Sequence, residues 1–399
     1  MGVLKIIFSL LILSFPIAGI GRFQFSNGVT FSINDVFLII LVTFWIAYHL
    51  LNKKKVVKNS LTKPIAIFIG ISLTSLILNI QHLSLENFLV SFLYLLRWTM
   101  YALIFFIIKD FDKKFKNIIP YLLLFSGSLI VFLGYIQYFF YPSLKNLSYL
   151  GWDEHLYRMF STFLDPNFAG AFFVLFFIFI LGLISQYLKN NQISHAMALS
   201  LLNLFVLIAV YLTYSRSAFI MLIISLSVFL FLIKKWKLII FTLAGLLLIV
   251  FIVPKSFQTE GTNLLRTFSS GQRIESSQVA VKIFESSPIY GVGFNAYRYA
   301  QNKYGLNDKI WQITHSGAGT DNSFLFVLAT TGIIGLVSYL YLIFSIFALA
   351  KVNFKNNIFS IILFSSLAGL IFNSLFINSL FYVFVLEWIW ITASLIENK

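Results

Sequence analysis

Apolar runs of membrane length recur along nearly the whole chain, and one long polar stretch, Pro254 to Thr320, interrupts them. A helix needs about 20 mostly apolar residues to cross a bilayer core. On that rule the 399 residues predict roughly twelve spans. They fall near 4–20, 34–51, 64–80, 86–108, 118–141, 167–188, 196–213, 217–233, 237–253, 322–349, 357–377 and 379–396. The expected fold class is therefore all-α: a polytopic transmembrane helix bundle with a large extracytoplasmic loop containing short interfacial helices. A single integral-membrane domain, 1–399, is expected, with the large loop 254–320 and a smaller loop 142–165 inside it. Composition agrees. Only 11% of residues are charged and 59% are hydrophobic, where soluble domains carry roughly 25% charge. The chain has no cysteine, which excludes disulfides, a thiolate nucleophile and thiolate metal sites.

The net charge of +15 invites a nucleic-acid partner, but its distribution supplies a simpler cause. With the N-terminus inside, lysines fall in every cytoplasmic loop: Lys53, Lys54, Lys55, Lys58 and Lys63, then Lys109, Lys113, Lys114 and Lys116. Lys189, the group Lys234, Lys235 and Lys237, and the pair Lys351 and Lys355 continue the pattern. The short outer loops hold Arg22, Lys145, Arg158 and Arg216. Positive charge is retained on the cytoplasmic side, so both termini are expected inside and the 254–320 stretch outside. No nucleic acid is implied.

Local signals place caps and two loop helices. Asp165-Pro166-Asn167 offers an N-cap followed by proline at the first helical position, and Asp321-Asn322 offers another cap. Gln272 to Ser286 reads as a helix with Ile274, Val281 and Phe284 on one side, ended by Pro288 and Gly291-Val292-Gly293. Thr267 to Gly271 reads as a break before it, and Asn295 to Lys303 as a second short helix. Both are expected to lie along the membrane surface. Gly291-Val292-Gly293 lacks a preceding strand, so it is no dinucleotide site.

Arg216 sits in a tight hairpin, Thr213 to Ala218, on the side where positive charge is disfavoured. It reads either as a snorkelling anchor or as a clamp for a diphosphate, which a guanidinium meets bidentately. Arg273 opens the amphipathic helix, and Arg266 reads as part of a solvated basic face. His315 is the one histidine of the large loop, and no partner stands at metal-ligand spacing. Arg97 and Glu387 fall inside the fourth and twelfth spans at similar depth, which predicts a buried pair.

Several stretches, in order, resemble the O-antigen ligase and polymerase superfamily of bacterial envelope glycan assembly. They are Ser161 to Ala169, Leu212 to Ala218, Arg273 with Pro288 to Phe294, and Asp321 to Leu325 with Gly332-Ile-Ile-Gly335. The resemblance covers about 158–350. It implies a metal-independent glycosyltransferase with no cofactor, taking glycan from a polyprenyl-diphosphate donor at the outer face of the bacterial cytoplasmic membrane. Arg216 and Arg273 would hold the leaving diphosphate. Asp321 would accept the acceptor proton, with His315 as an alternative imidazole, while Arg158, Asn167, Arg266 and Asn322 would contact substrate. Family ligases carry His-Asn where this chain has Asp321-Asn322, which favours a polymerase of O-antigen or capsular repeat units. A ligase, or a flippase for lipid-linked oligosaccharide, is the alternative. Expected partners are the lipid-linked oligosaccharide, membrane lipids, a chain-length regulator and a flippase.

Overall fold

The computed structural model describes residues 1–17, 19–24, 29–240, 245, 260–263, 268–306 and 319–396. Among them the chain is helical apart from one two-stranded hairpin, β1 (Arg22–Gln24) and β2 (Thr30–Ser32), paired antiparallel with Arg22 opposite Ser32. The helices are α1 (Gly2–Leu13), α2 (Ile33–Leu51), α3 (Thr62–Leu78), α4 (Leu85–Lys109), α5 (Lys113–Lys116) and α6 (Ile119–Phe140). They continue with α7 (Pro166–Lys189), α8 (Ile193–Leu212), α9 (Arg216–Leu232), α10 (Phe268–Ser286) and α11 (Tyr297–Lys303). The last three are α12 (Ser323–Val352), α13 (Ile358–Asn373) and α14 (Val383–Ser394).

Among the described residues, six segments are long and apolar enough to cross a membrane: α2, α4, the run Lys113–Phe140, α7, α8 and α12. Shorter apolar helices stand at five more expected positions, Gly2–Ile17, Thr62–Leu78, Arg216–Leu232, Ile358–Asn373 and Val383–Ser394. The span expected at 237–253 falls almost entirely outside the described residues.

α7 is the axis of the bundle. Every residue from Ala169 to Ile180 is buried, as an all-round apolar helix requires, and α8, α9 and α13 pack against it. α12 lies along α3, and α14 along α4. The start of α7 is fixed as the sequence suggests: the Asp165 carboxylate accepts from the backbone N–H of Asn167 at 2.6 Å and of Phe168 at 3.3 Å.

α12 is not continuous. Gly332 takes φ 67° and ψ −169°, outside helical geometry, so the turns on either side lose their internal hydrogen bonds. Apolar surroundings leave no water to replace them. The 288–293 turn does so instead. Val292 N–H donates to Ala329 O (3.1 Å) and Gly293 N–H to Thr330 O (3.0 Å). In return, Ile333 N–H donates to Pro288 O (2.9 Å) and Ile334 N–H to Ile289 O (3.5 Å).

Two sequence expectations need correction. Arg97 pairs with Asp35, not Glu387: its Nε and Nη2 each lie 2.7 Å from one Asp35 oxygen. Matching depth along two helices says nothing about the direction in which each side chain points. Asp35 also takes part in a capping box with Ser32 at the start of α2. The expected break at Thr267 to Gly271 is occupied by helix from Phe268 onward. α10 buries Ala280 and Ile283 against Tyr297, Phe326 and Ala329, while Ile274 and Val281 remain 61% and 40% exposed.

Candidate functional site

Arg216 is the first residue of α9, after the extended Ser215. Its placement follows from the segment before α7. Arg158 is buried and donates from Nε to Thr213 O at 2.8 Å and from Nη2 to Asn167 Oδ1 at 3.3 Å. Asn167 Oδ1 also accepts from Ser215 Oγ at 3.0 Å. Arg158 and Asn167 therefore clasp the hairpin that presents Arg216. Loop 142–165 joins the clasp through Gln137, whose amide oxygen accepts from the N–H groups of Phe160 (2.8 Å) and Ser161 (3.0 Å).

α10 crosses in front of this hairpin. Arg216 Nη2 donates to Ser270 Oγ at 3.0 Å, one turn before Arg273. Arg216 and Arg273 line the same cavity, of about 880 Å³. Helical spacing explains the wall: Ser270, Arg273, Ile274, Ser277, Val281 and Glu285 share one face of α10 over about 22 Å. The facing wall is Ser217 and Ile220 from α9, with Leu375 and Phe376 beyond the end of α13. Five large apolar side chains that line it, Ile220, Ile274, Val281, Leu375 and Phe376, are each more than a third exposed. The cavity is thus an apolar groove with two guanidinium groups at one end and Lys282 with Glu285 towards the other.

Charges around the arginines interact strongly. Burial lowers the Arg273 guanidinium below its ordinary value, the Arg216 charge adds to that, and Asp321 and Asp165 oppose it. A guanidinium still keeps its proton in any protein setting. Burial pushes the Asp321 carboxyl above the usual carboxylate range; Arg273 pulls it back, while Asp165 and Asp153 raise it further. One side of Asp321 is open to solvent, yet protein crowds the rest, which reconciles its exposed surface with that shift.

Asp321 is tied to α10 through its backbone: its N–H donates to Ser276 Oγ at 3.3 Å, and Ser276 Oγ donates to Thr320 Oγ1 at 3.1 Å. Asn322, not Asp321, is the cap of α12. Its Oδ1 accepts from Phe324 and Leu325 N–H, and its Nδ2 donates to Leu375 O at 3.1 Å. Of the sequence candidates, then, Arg216 and Arg273 meet at one cavity with Asp321 in the field of Arg273. Arg158, Asn167 and Asn322 hold the frame of that cavity. Arg266 and His315 lie outside the described residues. Sequence reasoning passed over Ser270, Ser277, Leu375 and Phe376; periodicity from Arg273 would have found the serines, but the two apolar residues beyond α13 gave no signal.

His155 was also passed over. Its Nε2 stands 4.0 Å from Asp165 Oδ2, beside the same helix start.

Residues 201–340 match the protein-family model described as O-antigen ligase, a match over about a third of the chain that contains Arg216, Arg273 and Asp321. The match supports the O-antigen ligase and polymerase superfamily. No curated protein matches the chain.

Proposed function

With an O-antigen ligase match over residues 201–340 as the premise, we propose that this protein polymerises O-antigen or capsular repeat units at the outer face of the bacterial cytoplasmic membrane. In this reading twelve spans cross the membrane, both termini are cytoplasmic, and the groove opens extracytoplasmically. One observation carries the substrate class. An apolar groove headed by two arginines complements a molecule with a long hydrocarbon chain and a diphosphate head. Ile220, Ile274, Val281, Leu375 and Phe376 would cover the first isoprene units of a polyprenyl chain, and Arg216 with Arg273 its diphosphate.

The acceptor hydroxyl oxygen attacks the anomeric carbon of the donor glycan, and the bond from that carbon to the diphosphate oxygen breaks. The polyprenyl diphosphate leaves as an anion whose growing charge the two guanidinium groups meet. The hydroxyl proton passes to the Asp321 carboxylate, whose raised pKa makes it the better base. An aspartate stands here where the resemblance places histidine in ligases, which favours polymerisation over transfer of finished glycan.

Lipid-linked oligosaccharide analysis of a deletion strain tests the reading. Single repeats left on the carrier are expected. Finished polymer accumulating on the carrier assigns the ligase reaction, and an unchanged profile removes both.

A further inference from the structure

The groove needs Arg273, on α10, held against Arg216, on α9. We infer that Ser75, on α3, and Asn79, the residue that ends it, are positioning residues for Arg273, acting through the turn seated in the break of α12; the inference rests on the diphosphate reading of the two arginines.

The Ser75 hydroxyl, fully buried, faces two carbonyls, Tyr290 O at 2.5 Å and Thr330 O at 2.9 Å. Asn79 Nδ2 donates to Gly291 O at 2.9 Å. The same α3 surface therefore grips both the turn and the broken helix into which it fits. The fit leaves no tolerance. A Cβ on Gly291 would stand 2.3 Å from the Thr330 carbonyl carbon, and one on Gly332 would stand 2.2 Å from Ile289 O. Both glycines also have positive φ, +69° and +67°. The turn follows α10 directly, with Gly291 N–H donating to Ser287 O at 2.9 Å and Ser287 Oγ to Gly291 O at 2.8 Å. It sets the angle at which α10 leaves the bundle.

Geometry amplifies that angle. Arg273 lies fourteen residues before Ser287, a lever of roughly 21 Å along the helix. A tilt of about 10° at the turn would move Arg273 by ~4 Å, more than the 3.0 Å hydrogen bond that joins Arg216 to Ser270. Ala280 and Ile283 seat the C-terminal half of α10, Ser276 ties it to Thr320, and the turn fixes the end from which the helix runs.

The absence of native cysteine permits a direct test. Ile220→Cys with Ser277→Cys places one thiol on each wall of the groove, and a short bis-maleimide reports their separation in membranes. Ser75→Ala and Asn79→Ala, each in this background, are expected to lower cross-linking yield at least threefold. Ser75→Thr, which keeps the hydroxyl, restores it. The same alanine variants, without the thiols, raise KM for a polyprenyl-diphosphate donor about tenfold or more with a smaller change in kcat, since an ångström of misplacement has large kinetic effects. Asn79 is only half-buried, so its variant keeps the test open if Ser75→Ala fails to fold. Unchanged cross-linking in both alanine variants overturns the inference. Arg216→Ala with undiminished glycan transfer overturns the diphosphate reading instead, while cross-linking still decides the positioning.

Discussion

Arg97 and Arg216 sit in contrasting surroundings, one neutralised inside the bundle and the other bordering a cavity. Arg97 meets Asp35 through two parallel contacts of 2.7 Å, with Tyr101 and Thr30 O completing its surroundings. Its charge is cancelled inside the protein. Arg216 has Ser270 at 3.0 Å, but it also borders a groove shared with a second guanidinium that repels it. Two like charges held together at an open cavity are an unfavourable arrangement that an anion relieves. Residue type and hydrophobic context are the same in both; the neighbours decide.

The sharpest way to break this contrast is to remove each side chain. Arg97→Ala strands the buried Asp35 carboxylate, and losing one partner of such a pair costs about 3–5 kcal/mol. The expected result is a collapse of yield and of thermal stability in detergent. Arg216→Ala or Arg273→Ala should instead leave the protein in the membrane and cut glycan transfer about 10²–10³-fold, the usual cost of one electrostatic partner of a leaving group. Normal glycan ladders in both variants would remove the contrast. Arg216→Lys should recover only part of the loss, because an ammonium cannot meet a diphosphate with two parallel donors.

Asp321 sharpens it through pH. Its carboxyl is held above the usual range near 3.9, so the acid limb of activity should lie higher than that of an ordinary carboxylate. Asp321→Asn should erase that limb and lower the rate about 10²-fold. The sign for stability is opposite to that of a salt-bridged aspartate. A raised folded-state pKa gives stability that is full below the unfolded pKa and lost as pH rises through the folded one. Asp321→Asn should therefore melt higher than the parent at neutral pH, with the gain vanishing in acid. A melting difference independent of pH would mean that Asp321 is not strained by its surroundings.

The groove wall gives a smaller effect. Ile220→Asn and Val281→Asn each remove an apolar contact worth ~1 kcal/mol to a hydrocarbon chain, about fivefold in KM for a long-chain carrier. A water-soluble short-chain diphosphate should show no such change. This wall also shows how the sequence can be right for the wrong reason. Ile274 and Val281 were legible as part of one apolar stripe, but they face the groove, while Ala280 and Ile283 do the packing. Periodicity finds a face and cannot say what covers it. Caps were legible because they depend on three or four adjacent residues, as at Asp165 and Asn322. The Arg97 partner and the break at Gly332 were not, since each depends on an element more than 35 residues away.

The smallest effect tests the clasp. Asn167 was expected to touch substrate, and its side-chain oxygen accepts from Arg158 and Ser215. If the frame is its whole role, Asn167→Ala removes two acceptor contacts while Arg158 keeps Thr213 O, so stability should fall by about 1 kcal/mol. Donor KM should then follow Arg216 only weakly, because Thr213 O still anchors the hairpin. If Asn167 touches substrate, KM should rise severalfold while the melting temperature barely moves. The two outcomes differ in which quantity changes, so a single variant, assayed for both, decides whether the arginines work alone at the head of the groove.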